Sequence, residues 1–116
     1  MTTSDLLISK FLTKQKEFCY LQTLSLRRDI YENSCSEYNA DVVLCAYPFS
    51  QHNKKLEVKF TGIRDLRIGK IDGLFALLIT INDVSGDQLE NINYSVKEDE
   101  NGLFSFYCRN FSYKEI

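Results

Sequence analysis

One histidine, one proline and five singly placed glycines are all that this 116-residue sequence contains of those residues, and two of these scarcities remove whole classes of function. With His52 the sole imidazole, set between Gln51 and Asn53 in an expected loop, no zinc motif and no recognisable pairing of a nucleophile with a histidine base can be assembled. The glycines at 62, 69, 73, 86 and 102 form neither a phosphate-cradling loop nor a dinucleotide fingerprint. Long hydrophobic runs are missing too. The longest lies around Leu74 to Ile79, far below the roughly 18 residues a membrane-spanning helix needs. The first residues include Asp5 but no early basic cluster, and Leu6 to Ile8 is too short for a signal-peptide core, so a cytoplasmic protein is expected.

The four cysteines, Cys19, Cys35, Cys45 and Cys108, fall at irregular spacings without a C-x-x-C pair. Three of them sit in apolar or aromatic runs, where a reduced thiol packs as a small hydrophobe. Neither a metal nor any other cofactor is expected. At 116 residues, 44% hydrophobic and 26% charged, the chain has the composition of an ordinary globular protein and the size of a single domain over residues 1–116. No internal repeat or low-complexity tract divides it.

The formal charge is −2, which disfavours nucleic acid as a partner, because phosphate binding needs a basic face to displace counterions. The distribution of charge is more informative than its sum. Lys54 to Lys70 holds six basic and two acidic residues, whereas Asp83 to Glu100 holds six acidic and one basic. Either the two segments face one another, or the second is a surface made to meet something positive.

Ser4 suits a helix N-cap and Asp5 its first turn, and Leu7, Ile8, Phe11 and Leu12 share one helical face. Phe18 to Leu26 reads as β, Asp29 to Asn39 as a polar loop, and Asp41 to Tyr47 as a buried strand stopped by Pro48. Leu56, Val58 and Phe60 alternate with polar neighbours, predicting a strand with one dry face. After Gly62, Leu66 and Ile68 resume the alternation, Asp72-Gly73 supplies a turn, and Leu74 to Ile81 reads as another strand. Ser85 and Gln88 match a capping box opening a short helical turn over 85–91. The fold class expected is α+β: a mainly antiparallel sheet of about six to seven strands with an amino-terminal helix.

The last hairpin is readable in more detail. A two-residue loop at Asn101-Gly102 would leave Phe104 and Phe106 on the face of Lys97 and Asp99. A three-residue loop, Glu100-Asn101-Gly102, instead groups Ile92, Tyr94 and Val96 with Phe104, Phe106 and Cys108, with Gly102 supplying a positive φ. Burial of each phenylalanine is worth about 2 kcal/mol, more than turn preference can offset. The wet face then carries Tyr107 and Arg109, residue types enriched at binding hot spots. Carboxylates crowd the tip at Glu98, Asp99 and Glu100, where solvation rather than acid–base catalysis is expected; with Asp83, Asp87 and Glu90, their spacing does not match a calcium loop. No enzyme chemistry is legible.

Phe60-Thr61-Gly62-Ile63 with Leu66, Asp83-Val84-Ser85 with Gln88, Tyr94-Ser95-Val96, the acidic turn, and Ser105-Phe106-Tyr107-Cys108 together resemble small immunity proteins of bacterial polymorphic-toxin and contact-dependent growth-inhibition systems. The resemblance covers roughly the second half of the chain. It implies a cytoplasmic protein that binds and neutralises one cognate protein toxin, as a monomer or weak dimer, without nucleic acid or membrane as partner. Where the toxin is a nuclease with a basic cleft, it assigns Asp87, Glu90, Glu98, Asp99 and Glu100 as contacts and Tyr107 and Arg109 as secondary anchors. The alternative is a small acidic chaperone for a secreted effector. Such a chaperone is usually a homodimer, so a mass measurement in solution separates the two.

Overall fold

The structure is a computed structural model that describes residues 3–50, 53–74, 76–87 and 89–116. His52 and Gln88, and with them the glutamine half of the expected capping box, lie outside the described residues. One helix, α1 (Thr3–Gln15), precedes eight strands: β1 (Tyr20–Ile30), β2 (Ser36–Cys45), β3 (Lys55–Thr61), β4 (Arg64–Ile68), β5 (Ile79–Asp83), β6 (Tyr94–Glu98), β7 (Phe104–Cys108) and β8 (Asn110–Glu115). All pair antiparallel in two four-stranded sheets, ordered β1-β2-β3-β8 and β4-β7-β6-β5. The α+β class expected from the sequence is the one observed, with eight strands in place of six or seven and two sheets in place of one.

The alternation in β3 makes the sandwich. Leu56, Val58 and Phe60 point inward and are buried with Ala40, Val42 and Leu44 of β2, opposite Ile79, Ile81, Val96, Phe104 and Phe106 of the other sheet. Phe60 meets Phe106 edge to face at 4.9 Å, and Tyr94 meets Phe111 at 5.0 Å, the offset geometries that aromatic quadrupoles favour. Phe11 of α1 seals the core against Phe111 and Tyr113 of β8. The chain passes between sheets twice at one corner. Gly62, at φ +70°, lies where a Cβ would come within 3.1 Å of Arg109 Cβ, so a side chain there would crowd the β7 to β8 crossing.

Two segments differ from the sequence reading. Asp29 to Asn39 is mostly strand, with only residues 31–35 forming the turn. This end of the β1–β2 hairpin extends beyond β3, which pairs with β2 only from Asn39 onward. Its register is therefore held by cross-strand polar contacts in place of a dry face: Asn39 with Asp29, Arg28 with Ser36, and the Arg28 guanidinium 4.4 Å over the Tyr38 ring. Conversely, the apolar run from Leu74 becomes regular strand only at Ile79. Before that, side chains supplement scattered backbone bonds such as Leu77 N–H to Cys19 C=O at 2.8 Å. The amide of the fully buried Gln15 donates to Leu77 C=O and accepts from Ile79 N–H, and Glu98 accepts from Leu78 N–H.

Cys108 is fully buried, and burial pushes its thiol up to about 12. Cys35 is exposed, and all four cysteines are free. Among the described residues no helix is long and apolar enough to cross a membrane.

Candidate functional site, an acidic hairpin and its flanks

The hairpin joining β6 and β7 has the register expected of a three-residue loop: Tyr94 opposite Cys108, Val96 opposite Phe106 and Lys97 opposite Ser105. Gly102 adopts φ +64°. Tyr94, Val96, Phe104, Phe106 and Cys108 are buried, as their shared parity requires.

That parity extends to Glu98, which is only 3% exposed. Its carboxylate accepts four backbone hydrogen bonds. Oε2 receives Leu78 N–H at 3.1 Å and Glu100 N–H at 2.9 Å, and Oε1 receives Asn101 N–H at 2.8 Å and Leu103 N–H at 3.1 Å. Burial pushes this carboxyl upward, but the four donors outweigh it and hold it below the ordinary glutamate range. Glu98 is thus a fixed anion around which the tip folds. The sequence alone groups it with the contact carboxylates; inclusion of position 98 in the dry series 92, 94, 96 is the signal that sets it apart.

Asp99 and Glu100 are exposed at the tip. Asp99 accepts the Thr80 hydroxyl, and its N–H donates to Leu78 C=O at 2.9 Å. Asn101 donates from Nδ2 to Ala76 C=O at 3.1 Å, tying the tip to the segment before β5. Asp87 and Glu90 are also exposed but lie at the other end of the hairpin. The β5–β6 ladder runs from Asp83 opposite Tyr94 to Ile79 opposite Glu98, a span of about 14 Å at the usual rise per strand residue. The acidic segment therefore forms two patches and not one.

The loop bearing Asp87 opens on a single 3₁₀ turn, Ser85–Asp87. Asp83 braces this turn, accepting the Ser85 hydroxyl at 2.6 Å and the Ser85 N–H at 2.9 Å. These two bonds, the hydroxyl first, hold the Asp83 carboxyl below its usual range. Tyr107 stands half-buried on the outer face of its sheet, opposite Ser95 and Arg64. Arg109 turns away toward the other sheet and pairs with Glu37 at 2.7 Å, an internal tie at the corner.

Among the described residues no ion pair joins residues 54–70 to residues 83–100, and Asp87, Glu90, Asp99 and Glu100 enter no ion pair. Lys59 and Lys114 instead approach Glu57 on the outer face of the first sheet. The hairpin thus presents exposed carboxylates on a hydrogen-bonded frame, an arrangement suited to meeting a cationic surface.

Neither the comparison with curated proteins nor that with solved structures finds a match. A family model described as immunity protein PIM8 matches residues 3–114 of the 116. The match covers nearly the whole chain, including the first half that the sequence reading could not place, and the protein belongs to this immunity-protein family.

Proposed function

We propose that this protein neutralises a cognate protein toxin by binding it directly, with the carboxylates of the β6–β7 hairpin and the 85–91 loop facing a basic surface of the toxin. Family membership supports the role. The observation that carries the mode is the tip: Glu98 fixes its backbone from inside, leaving Asp99 and Glu100 exposed and, among the described residues, without ion-pair partners. Ordered anions steer association and lose little freedom on binding. Glu98 acts as the support of this site and not as a contact.

The two acidic patches fit one partner. An interface of ordinary size covers about 800 Å² per protein, a disc about 30 Å across, which spans both ends of the hairpin. Tyr107 lies between them, and Arg109 holds the corner beside the 85–91 loop. A toxin acting on nucleic acid would offer a matching cleft, since such clefts are basic, and bound carboxylates would occupy the place of phosphates. Inhibition by occupancy requires no catalysis by the immunity protein.

Co-expression tests this reading. The product of the gene immediately upstream is expected to arrest growth when produced alone, and this protein is expected to restore growth and co-purify with it. Arrest that persists despite ample immunity protein would contradict the proposal.

A further inference from the structure

Beside the acidic tip lies an apolar groove, with a cavity of about 470 Å³ lined by Leu21, Ala46, Phe49 and Leu74, and with Lys54 and Lys55 the only charges among its described lining residues. Its mouth is unusually apolar for a surface. Leu74 is 62% exposed, Tyr47 74% and Phe49 48%. Phe49 is held edge to face between Tyr20 at 5.0 Å and Tyr47 at 5.7 Å. The three rings form an ordered ladder, so a ligand meeting them would not have to immobilise loose side chains.

The groove and the tip are continuous. Leu74 leads within two residues to Ala76, which bridges to Tyr20 and accepts the Asn101 side chain at 3.1 Å, next to Glu100. One end of the molecule therefore carries an aromatic centre with lysines on one flank and carboxylates on the other. Interfaces whose binding energy concentrates in a few residues have this anatomy, an apolar and aromatic centre inside a charged rim. Lys54 is shared with Glu115 at 3.6 Å, while Lys55 enters no ion pair among the described residues.

We infer that this groove is the apolar centre of the toxin-binding surface, taking one large apolar side chain of the toxin. The charges around it specify the occupant: on the toxin, that side chain is flanked by a carboxylate facing Lys55 and by basic residues facing Asp99 and Glu100. The inference rests on the toxin binding proposed above.

Titration calorimetry against the purified product of the upstream gene tests it. Leu74→Asp and Phe49→Ser are each expected to weaken binding about 30-fold or more, the range of a hot-spot residue. Lys55→Glu is expected to weaken it about fivefold. Leu74 is well exposed, so Leu74→Asp is expected to melt within about 3 °C of the wild type, as surface changes do, and it decides the matter even where Phe49→Ser disturbs the ring ladder. Wild-type binding left unchanged by Leu74→Asp overturns the groove while leaving toxin binding intact. Absence of wild-type binding overturns both.

Discussion

Replacing Glu98 by alanine is expected to lower stability by about 3 kcal/mol, although the residue sits at the end of a hairpin and carries a charge. The change leaves the N–H groups of Leu78, Glu100, Asn101 and Leu103 without their acceptor. Hydrogen bonds to a charged group are worth about 1.5–3 kcal/mol each, while water can reach part of the opened tip, so the total falls well short of the sum. For a domain of this size the loss corresponds to a fall in melting temperature of about 10–15 °C. Glu98→Gln should recover little, because an amide offers one acceptor oxygen and turns its NH₂ toward two of the donors.

The same carboxylate makes stability depend on pH in a definite direction. Its folded-state pKa lies below the ordinary value, so the unfolded chain binds the proton more readily than the folded one. Its contribution is complete above the ordinary glutamate pKa of about 4.3, and is lost as pH falls from there through the lowered folded-state value. Denaturant melts of the wild type should therefore weaken on acidification below that range. In Glu98→Gln this part of the acid dependence should be absent; a variant that keeps the full wild-type slope would show that other carboxylates carry it.

Reversing the exposed tip charges, Asp99→Lys with Glu100→Lys, is expected to raise the dissociation constant for the toxin by about 100-fold or more, since close charge pairs across interfaces couple by about 1.5–7 kcal/mol. At low salt much of the loss should appear in the association rate, shrinking as salt screens the field. The fold should survive, because neither side chain is buried. Reversing Asp87 and Glu90 is expected to cost less, about tenfold, because these residues lie beyond the far end of the β5–β6 ladder, at the end of the hairpin opposite the aromatic groove. Stopped-flow association across a salt series measures both. Equal and small effects from the two reversals would remove the charge-steered mode.

What was legible in the sequence follows the physics of one dry face. Where a strand buries alternate residues, as in Leu56 to Phe60 or Tyr94 to Phe106, parity alone determined the face and even the loop length of the last hairpin. Where both faces are wet, as along Arg28 to Tyr38, no alternation exists to be read, and cross-strand polar pairs do the holding. The run before Ile79 failed in the opposite sense. Its apolar residues are real, but their backbone is bound by Gln15, Glu98 and Asn101, partners remote in sequence.

The candidate site divides the same way. Exposure of Asp99 and Glu100 followed from the turn. Separation of Asp87 and Glu90 from them required knowing that β5 and β6 pair and place the two loops at opposite ends. The groove was hidden because Tyr47 and Phe49 flank Pro48, and Leu74 follows Asp72-Gly73. Apolar residues set among turn formers, with no strand face to receive them, were the available sign of an exposed aromatic surface.

The most direct measurement is a titration of purified toxin activity with purified immunity protein. Neutralisation by binding is expected to bring activity down linearly to an endpoint at one immunity protein per toxin, with full activity returning when the complex is dissociated. Progressive loss of toxin activity at a small fraction of one equivalent would mean turnover, and would contradict neutralisation by occupancy.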